Sequence, residues 1–566
     1  MNSSPSRTPS LFALGGLLAL AGHAIAATAN IDAGALQRQT EQGLRARPDA
    51  PLRNRPEPQP PSPPARDAVT VTVTAFEFQG NTLLSQEALN QVVAPFLNRP
   101  LSFDGLQEAA QAVSAAYREA GWVVRAFFPK QAIDSGRVTL QIVEAQFGEI
   151  SLTGKPSQRI AASRIFSTVE RAQPRGALLN AKQLDRALLL LDDLPGIDAT
   201  GNLVEGKKPG QTDLALNVTD ADLLVTHFYA DNFGARATGA QRQSLNFMLN
   251  SLLGWGDQLL VNGLHTQGSQ YGRMAWSVPL GYDGLRVGWH RSYLNYQLVG
   301  DFEKLAAKGA ASATGLDLSY PLVRSQLQNL SIHFVHDQKS FLNLANGATA
   351  SNYTLQVSNV SLNFNAYDPW GGGGFNNLTL AASGGRVNLD QSPHQAQDAA
   401  GPQTAGKFRK TNLSLSRQQA ITPKLSFYVS ASTQWANKNL DSSEKIYLGG
   451  ANGVRAYPSS EGGGSRGDIA TLELRQRLGQ SWTVTGFYDQ GRLSTAKPNE
   501  LPAGLTSTTL KGRGVAVAWQ ALTGVELKLT VARRMGLNPL RNTNTGMDGD
   551  GTLERDRGWF NATVTY

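Results

Sequence analysis

LGGANGVRAYPSSEGGGSRGDIATLELRQRLGQSWTVTGFYDQ, residues 448–490, decides how the rest of the chain is read. It holds a Gly-rich loop carrying Val454-Arg455-Ala456-Tyr457, a strand after Asp468, and a second strand ending Phe487-Tyr488-Asp489-Gln490-Gly491. Side chains of a strand alternate between its faces. Ala470, Leu472 and Leu474 therefore share one face, and Thr471, Glu473, Arg475 and Arg477 the other. In the second strand Trp482, Val484 and Tyr488 oppose Thr483, Thr485 and Asp489. A strand with one apolar and one polar face, repeated, suits a membrane barrel with lipid outside and water inside. Asp489 then points into the lumen, and a loop folding inward at 448–467 could bring Arg455 to it. The planar guanidinium suits a bidentate pair with a carboxylate. Glu473 is a rival partner, and two unrelated lumenal charges are the plain alternative.

The bulk numbers allow a large barrel with accessories. The chain has 566 residues, 17% of them charged, and 57 glycines that suit turns and bends. Its net charge of +8 comes without any run of five or six Lys/Arg, so a polar or acidic polypeptide fits as a partner and nucleic acid is not expected. With no cysteine there are no disulfides, thiolate metal sites or Cys nucleophiles. Arg7, the apolar core Leu11–Ala21 and Ala24-Ile25-Ala26 make a secretory signal over 1–26, cleaved after Ala26 or, next, Ala29. No stretch reaches the roughly 18 apolar residues of a membrane helix, so a membrane-spanning mature chain must be a β-barrel.

After the signal, residues 30–47 are polar and weakly helical. Ile31, Ala35, Leu36 and Leu44 form a thin apolar stripe, weakened by Gly34 and Gly43. A solvated helix and a disordered arm are both compatible with it. Residues 48–68 form a linker whose eight prolines, Pro48 through Pro64, keep it extended. Two similar units follow, 69–145 and 146–221. The first opens on a strand (Val71, Val73, Phe76, Phe78), then predicts helices at 85–96 and 103–120 and strands at 122–128 and 138–144. The second repeats the order: strand 149–152, helices near 161–170 and around Leu184, Ala187, Leu188 and Leu191, a stop at Leu194-Pro195-Gly196, and strands near 199–204 and 214–218. These are tandem small α+β domains, each with a sheet edge open to a passing peptide. Leu184 and Leu188 read as core.

From 222 to 566 helical periodicity disappears and short alternating segments recur. Leu527, Leu529 and Val531 face away from Glu526, Lys528 and Thr530, and the chain ends with Phe560, Ala562, Val564 and Tyr566 on one face. At roughly 9–11 residues per strand plus loops, this length accommodates about 16 strands. A soluble sandwich or propeller is the alternative. Gly462–Gly467 contains G-x-G-x-x-G, and Gly463–Gly467 G-x-S-x-G, but a strand follows where either motif needs a helix, so a flexible loop is the better account. His333 and His336 fall on opposite faces of a strand, and His227, His265, His290 and His394 have no ligand spacing. No enzymatic activity, cofactor or metal is expected.

These motifs together resemble the transporter component of two-partner secretion systems (TpsB), within the outer-membrane assembly-factor superfamily. The units resemble polypeptide-transport-associated (POTRA) domains, through Phe128-Pro129-Lys130-Gln131 with Gly136 and Leu194-Pro195-Gly196. Asp231-Asn232-Phe233-Gly234 with Thr238-Gly239 resembles the first barrel strand and turn, and Leu440–Lys445 with Leu448-Gly449-Gly450 the approach to the inner loop. Val454-Arg455-Ala456-Tyr457 is similar to the loop-tip motif, and Phe487-Tyr488-Asp489-Gln490-Gly491 to the strand motif whose Asp pairs with the loop Arg. The family usually has Gly where this chain has Ala456, which requires an αR or extended tip or some strain.

The resemblance implies a transmembrane barrel of about 16 antiparallel strands in the bacterial outer membrane. Two POTRA domains would lie in the periplasm, a plug-type helix would span 30–47, and the 448–467 loop would be latched inward. Val454, Arg455, Ala456, Tyr457, Phe487, Asp489 and Gly491 would form the latch. The implied partners are a large secreted β-helical exoprotein, unfolded in transit, outer-membrane lipid and the barrel-assembly machinery, with the transporter monomeric. The alternatives are a gated pore for small solutes, a barrel-assembly factor and a surface adhesin.

Overall fold

The computed structural model describes residues 32–45, 70–131, 133, 136–501 and 505–566. The expected signal segment and the Pro-rich linker lie outside the described residues.

The first unit packs two helices, α2 (Gln86–Val93) and α3 (Phe103–Ala120), on a three-stranded sheet ordered 75–79, 137–144, 124–127. Ser85 and Ser102 cap the helices, and Gly121 ends α3 in the left-handed conformation. Leu106, Ala109, Val113 and Tyr117 bury the apolar stripe of α3 against Val138, Leu140 and Ile142. The expected opening strand is broken: Val71–Thr72 turns aside to pair with Pro100–Leu101, and only Ala75–Gln79 joins the main sheet. The strand expected at 122–128 shortens to Val124–Phe127, because Trp122 bridges to Asn180 of the second unit. That unit repeats the plan with α4 (Ala162–Ala172) and α5 (Ala181–Asp192) on a sheet ordered 146–153, 211–220, 197–205. Leu184 is buried in its core, with Leu188 packed against it.

Sixteen antiparallel strands then close a barrel. They are β1 (Leu224–Asp231), β2 (Arg242–Asn250), β3 (Gln258–His265), β4 (Ser269–Pro279), β5 (Arg286–Gln297), β6 (Ala307–Arg324), β7 (Gln328–Ala345), β8 (Ala348–Asp368), β9 (Gly374–Asn388), β10 (Gly406–Ala420), β11 (Leu425–Ala436), β12 (Arg466–Leu478), β13 (Trp482–Ser494), β14 (Ser507–Leu522), β15 (Val525–Arg534) and β16 (Asp556–Thr565). β16 pairs back onto β1 from Asn561↔Asp231 to Thr565↔His227. Closure leaves no backbone edge facing lipid.

The two ends of the barrel differ. One has short turns, and the second unit is docked there. Arg324 forks onto Asp193 at 2.7 and 2.8 Å, Arg186 donates to the carbonyl of Pro321, Arg164 to that of Gly281, and Ser251 to that of Arg159. The Leu194-Pro195-Gly196 stop is part of this contact. A Cβ on Gly196 would sit 2.9 Å from Ser251 Cβ, and one on Gly256 2.9 Å from Leu194. The opposite end carries the long connections, 389–405, 437–465 and 535–555.

Candidate functional site

The loop between β11 and β12 folds into the lumen. Leu448 and Gly449 donate to the carbonyl of Glu461, and Val454 donates to that of Leu448, so the segment closes on itself. Its tip is a β-turn in which Tyr457 N–H reaches Val454 C=O at 3.1 Å, with Arg455 and Ala456 in the middle. Ala456 is not among the residues with positive φ, which excludes a type II turn and matches type I. The turn type therefore removes the need for glycine at this position.

Arg455 is held on several sides. Its Nε and Nη2 donate to the two carboxylate oxygens of Asp489 at 2.8 and 2.7 Å, and its own backbone N–H adds a third bond at 3.1 Å. Its Nη1 donates to Glu473 at 2.8 Å. The two acids offered as rivals share one guanidinium. Arg475 holds the other oxygen of Glu473 from Nε at 2.8 Å, so two cations meet two carboxylates. Thr471 donates to Asp489, which is 0% exposed. The guanidinium lies 3.5 Å from the Phe487 ring centroid, and Trp559 donates its indole N–H to the Arg455 carbonyl at 2.7 Å. Burial this deep makes the network sensitive, because loss of one partner leaves an uncompensated charge.

Small residues in the wall receive the tip. Gly491 faces Val454, and a Cβ there would come within 2.9 Å of it; Gly512 faces Ala456 in the same way, at 2.6 Å. Tyr457 is buried among Leu448, Phe487, Leu493 and Leu510. At the base of the loop Glu461 accepts from Asn538 and from the Gly549 backbone, which ties it to the 535–555 connection.

The helix α1 (Ala33–Arg45) occupies the lumen beside this loop. Asp32 caps it and also accepts from Ser442; Ala33 N–H donates to Asn343, Gln37 to Ser292, and Ser460 to Gln39. Of the expected apolar stripe, Ala35 and Leu36 are buried. Gly34 weakens the isolated helix but permits its approach, since a Cβ there would lie 2.7 Å from Ser442 Oγ. Just beyond, Glu444 is clamped between Lys339 and Lys410 at 2.9 and 2.7 Å.

Among the described residues no cluster of metal-ligating side chains is found. His333 and His336 are not brought together: His336 bonds Ser358 and His333 bonds Ser331. His290 lies buried between Asp317 and Asp337, at 2.6 and 2.9 Å, a grouping that sequence spacing did not indicate.

Comparison with known proteins shows what the chain is similar to. The family model described as haemolysin secretion/activation protein ShlB/FhaC/HecB matches residues 210–514, just over half of the chain, and a ShlB-type POTRA domain matches 71–145. The chain is 26% identical over 480 residues to the heme/hemopexin transporter protein HuxB of Haemophilus influenzae, covering 81% of this chain and 83% of that protein. It is 25% identical over 468 residues to the outer membrane transporter CdiB of Dickeya dadantii, covering 79% and 81%. Among solved structures, CdiB from Escherichia coli superposes with a TM-score of 0.69 at 19% identity, covering 98% of this chain and all of that one. BamA from Haemophilus ducreyi, lacking POTRA domains 1–3, gives 0.53 at 14%, covering 88% of this chain and all of that one. Both share the fold.

Proposed function

The chain belongs to the haemolysin secretion/activation family of outer-membrane two-partner secretion transporters, and from that premise we propose that it recognises an unfolded exoprotein through its two periplasmic POTRA units and secretes it through the barrel without nucleotide hydrolysis. One observation carries the reading. The lumen is occupied by α1 and the 448–465 part of the loop, and both are held there by side-chain and turn contacts outside the barrel's strand pairing, which resumes at Arg466. Both can leave without unpairing a barrel strand. An extended polypeptide needs such a clearable lumen, and a rigid solute pore does not.

In this reading α1 is the resting plug and Arg455 the latch. Asp489, Glu473, Phe487 and the small residues Gly491 and Gly512 form the seat. The POTRA units, the second held to the short-turn end, present sheet edges to which an unfolded chain adds as a strand. Folding of a large β-helical exoprotein outside supplies the directional bias. The transporter is no enzyme, binds no cofactor or nucleic acid, enters the lipid through the barrel-assembly machinery and acts as a monomer.

The test is co-expression with the N-terminal fragment of the exoprotein encoded beside this gene, in a heterologous diderm bacterium. Release into the medium is expected only with this protein present, and is expected to be lost when residues 69–145 are deleted. No release despite a correctly inserted barrel and matched cargo would refute the reading.

A further inference from the structure

The outer wall of the barrel carries a basic patch that the transport reading does not use. On β10, Phe408 and Lys410 point inward, Lys410 reaching Glu444, so Lys407 and Arg409 point out. On β9, Ser383 and Val387 are buried inward, so Gly384 and Arg386 point out. In register, Arg386 lies directly opposite Lys407, and Gly384 opposite Arg409. Gln356 of β8 lies opposite Arg386, and His336 of β7 lies opposite Ser358, which it hydrogen-bonds.

Like charges directly opposite on neighbouring strands are destabilising. Two other outward cations do have partners: Arg417 meets Asp368 at 2.6 Å and Arg533 meets Asp556 at 3.0 Å. Among the described residues no carboxylate pairs with Arg386, Lys407 or Arg409. The three surround a depression of about 430 Å³ over Gly384, lined also by His336, Gln356 and Asn437. A Cβ on Gly384 would meet nothing within 4 Å.

The level of the patch identifies what fills it. Below it the outer wall is apolar, with Leu380 and Leu415 42% and 43% exposed. Trp435, 51% exposed, lies opposite Thr411, one outward-facing position short of Arg409, and an exposed Trp there marks a membrane interface. β9 rises from the short-turn end to Asn388 at the long-loop end, so the patch faces the outer leaflet. A ligand that fits both surfaces carries acyl chains below and phosphate above.

We propose that Arg386, Lys407 and Arg409 bind the phosphate groups of an anionic glycolipid of the outer leaflet. Arg supplies forked donors for phosphate, Lys a point charge, and Gly384 the room for a headgroup against the wall.

The test uses the purified full-length protein in detergent, with hexa-acylated bisphosphoryl lipid A as probe and bound lipid read by native mass spectrometry. Lipid A is expected to bind, and a variant combining R386Q, K407Q and R409Q is expected to lose affinity by at least about tenfold. Removing both phosphates from the probe is expected to do the same. Gly384→Phe, which fills the depression and keeps every charge, is the second variant and is also expected to weaken binding. Unchanged affinity in whichever variant folds would overturn the proposal. Equal binding of phosphatidylglycerol, or binding of inorganic phosphate alone, would overturn the glycolipid assignment.

Discussion

Replacing Arg455 by Ala should release the inner loop, and the structure sets the scale. The change removes the bidentate bond to Asp489, the bond to Glu473 and the stack on Phe487. Asp489 keeps only the Thr471 hydroxyl and the backbone N–H of residue 455, whereas Glu473 retains Arg475. Breaking a buried ion pair costs about 3–5 kcal/mol, and the retained partners put this case at the low end, about 3 kcal/mol. At 1.36 kcal/mol per decade that is roughly a 150-fold rise in the open population of the loop. The chain has no cysteine, so Val454→Cys supplies a single thiol at a fully buried tip position. Its maleimide labelling rate should rise by about two orders of magnitude in the Arg455→Ala background if labelling tracks opening. Arg455→Lys should fall between, since an ammonium makes no fork. Secretion should fall while barrel levels hold. A labelling rate within about twofold of the parent, in a folded barrel, would refute the latch argument.

Gly512→Val should push the loop out as well, because even its Cβ would lie 2.6 Å from that of Ala456, and overpacking of this kind costs about 1–3 kcal/mol. Ala456→Gly should leave Val454→Cys labelling nearly unchanged, because the type I tip needs no positive φ. Gly34→Val should displace α1 from Ser442 and raise single-channel conductance; parental conductance would show that the helix tolerates the clash. In the first POTRA unit, burial pushes the Glu144 carboxyl up, but bonds from the Thr82 hydroxyl and backbone, the Leu83 backbone and the Tyr117 hydroxyl outweigh it and hold the group below its usual 4.5. A depressed carboxylate stabilises the fold above its unfolded value and loses that contribution as pH falls through its folded one. Protection of the amides of residues 82–84 against hydrogen exchange, taken relative to the free-peptide rate at each pH, should therefore fall between roughly pH 5 and pH 3, and Glu144→Gln should abolish that fall.

The sequence made the barrel, the two α+β units and the Arg455–Asp489 chemistry legible, because each rests on local signals. Alternation placed Asp489 on the lumenal face, and helical spacing predicted the helix over 103–120 that is α3. What it could not supply depends on closure. Trp559 lies on β16, 104 residues from Arg455, and meets its carbonyl only because the last strand pairs back onto the first. Gly512 reads as one glycine among many until strand register places it opposite Asp489 and under Ala456. His290 finds Asp317 and Asp337 by the registers of β5, β6 and β7, which no spacing rule encodes. Beside the Arg324–Asp193 fork, the docking of the second unit uses the backbone carbonyls of Gly281 and Pro321, and carbonyls leave no mark on residue identity. Gly34 shows in the sequence as a helix-propensity cost, whereas in the fold it permits close approach to Ser442.

The most direct measurement of the central claim is translocation by this protein alone. The full chain would be reconstituted into nucleotide-free liposomes with its POTRA units outward, given the unfolded N-terminal fragment of its exoprotein, and then treated with protease. The account predicts protected fragment inside the vesicles that depends on residues 69–145. Vesicles that pass small solutes yet never protect the fragment would contradict it.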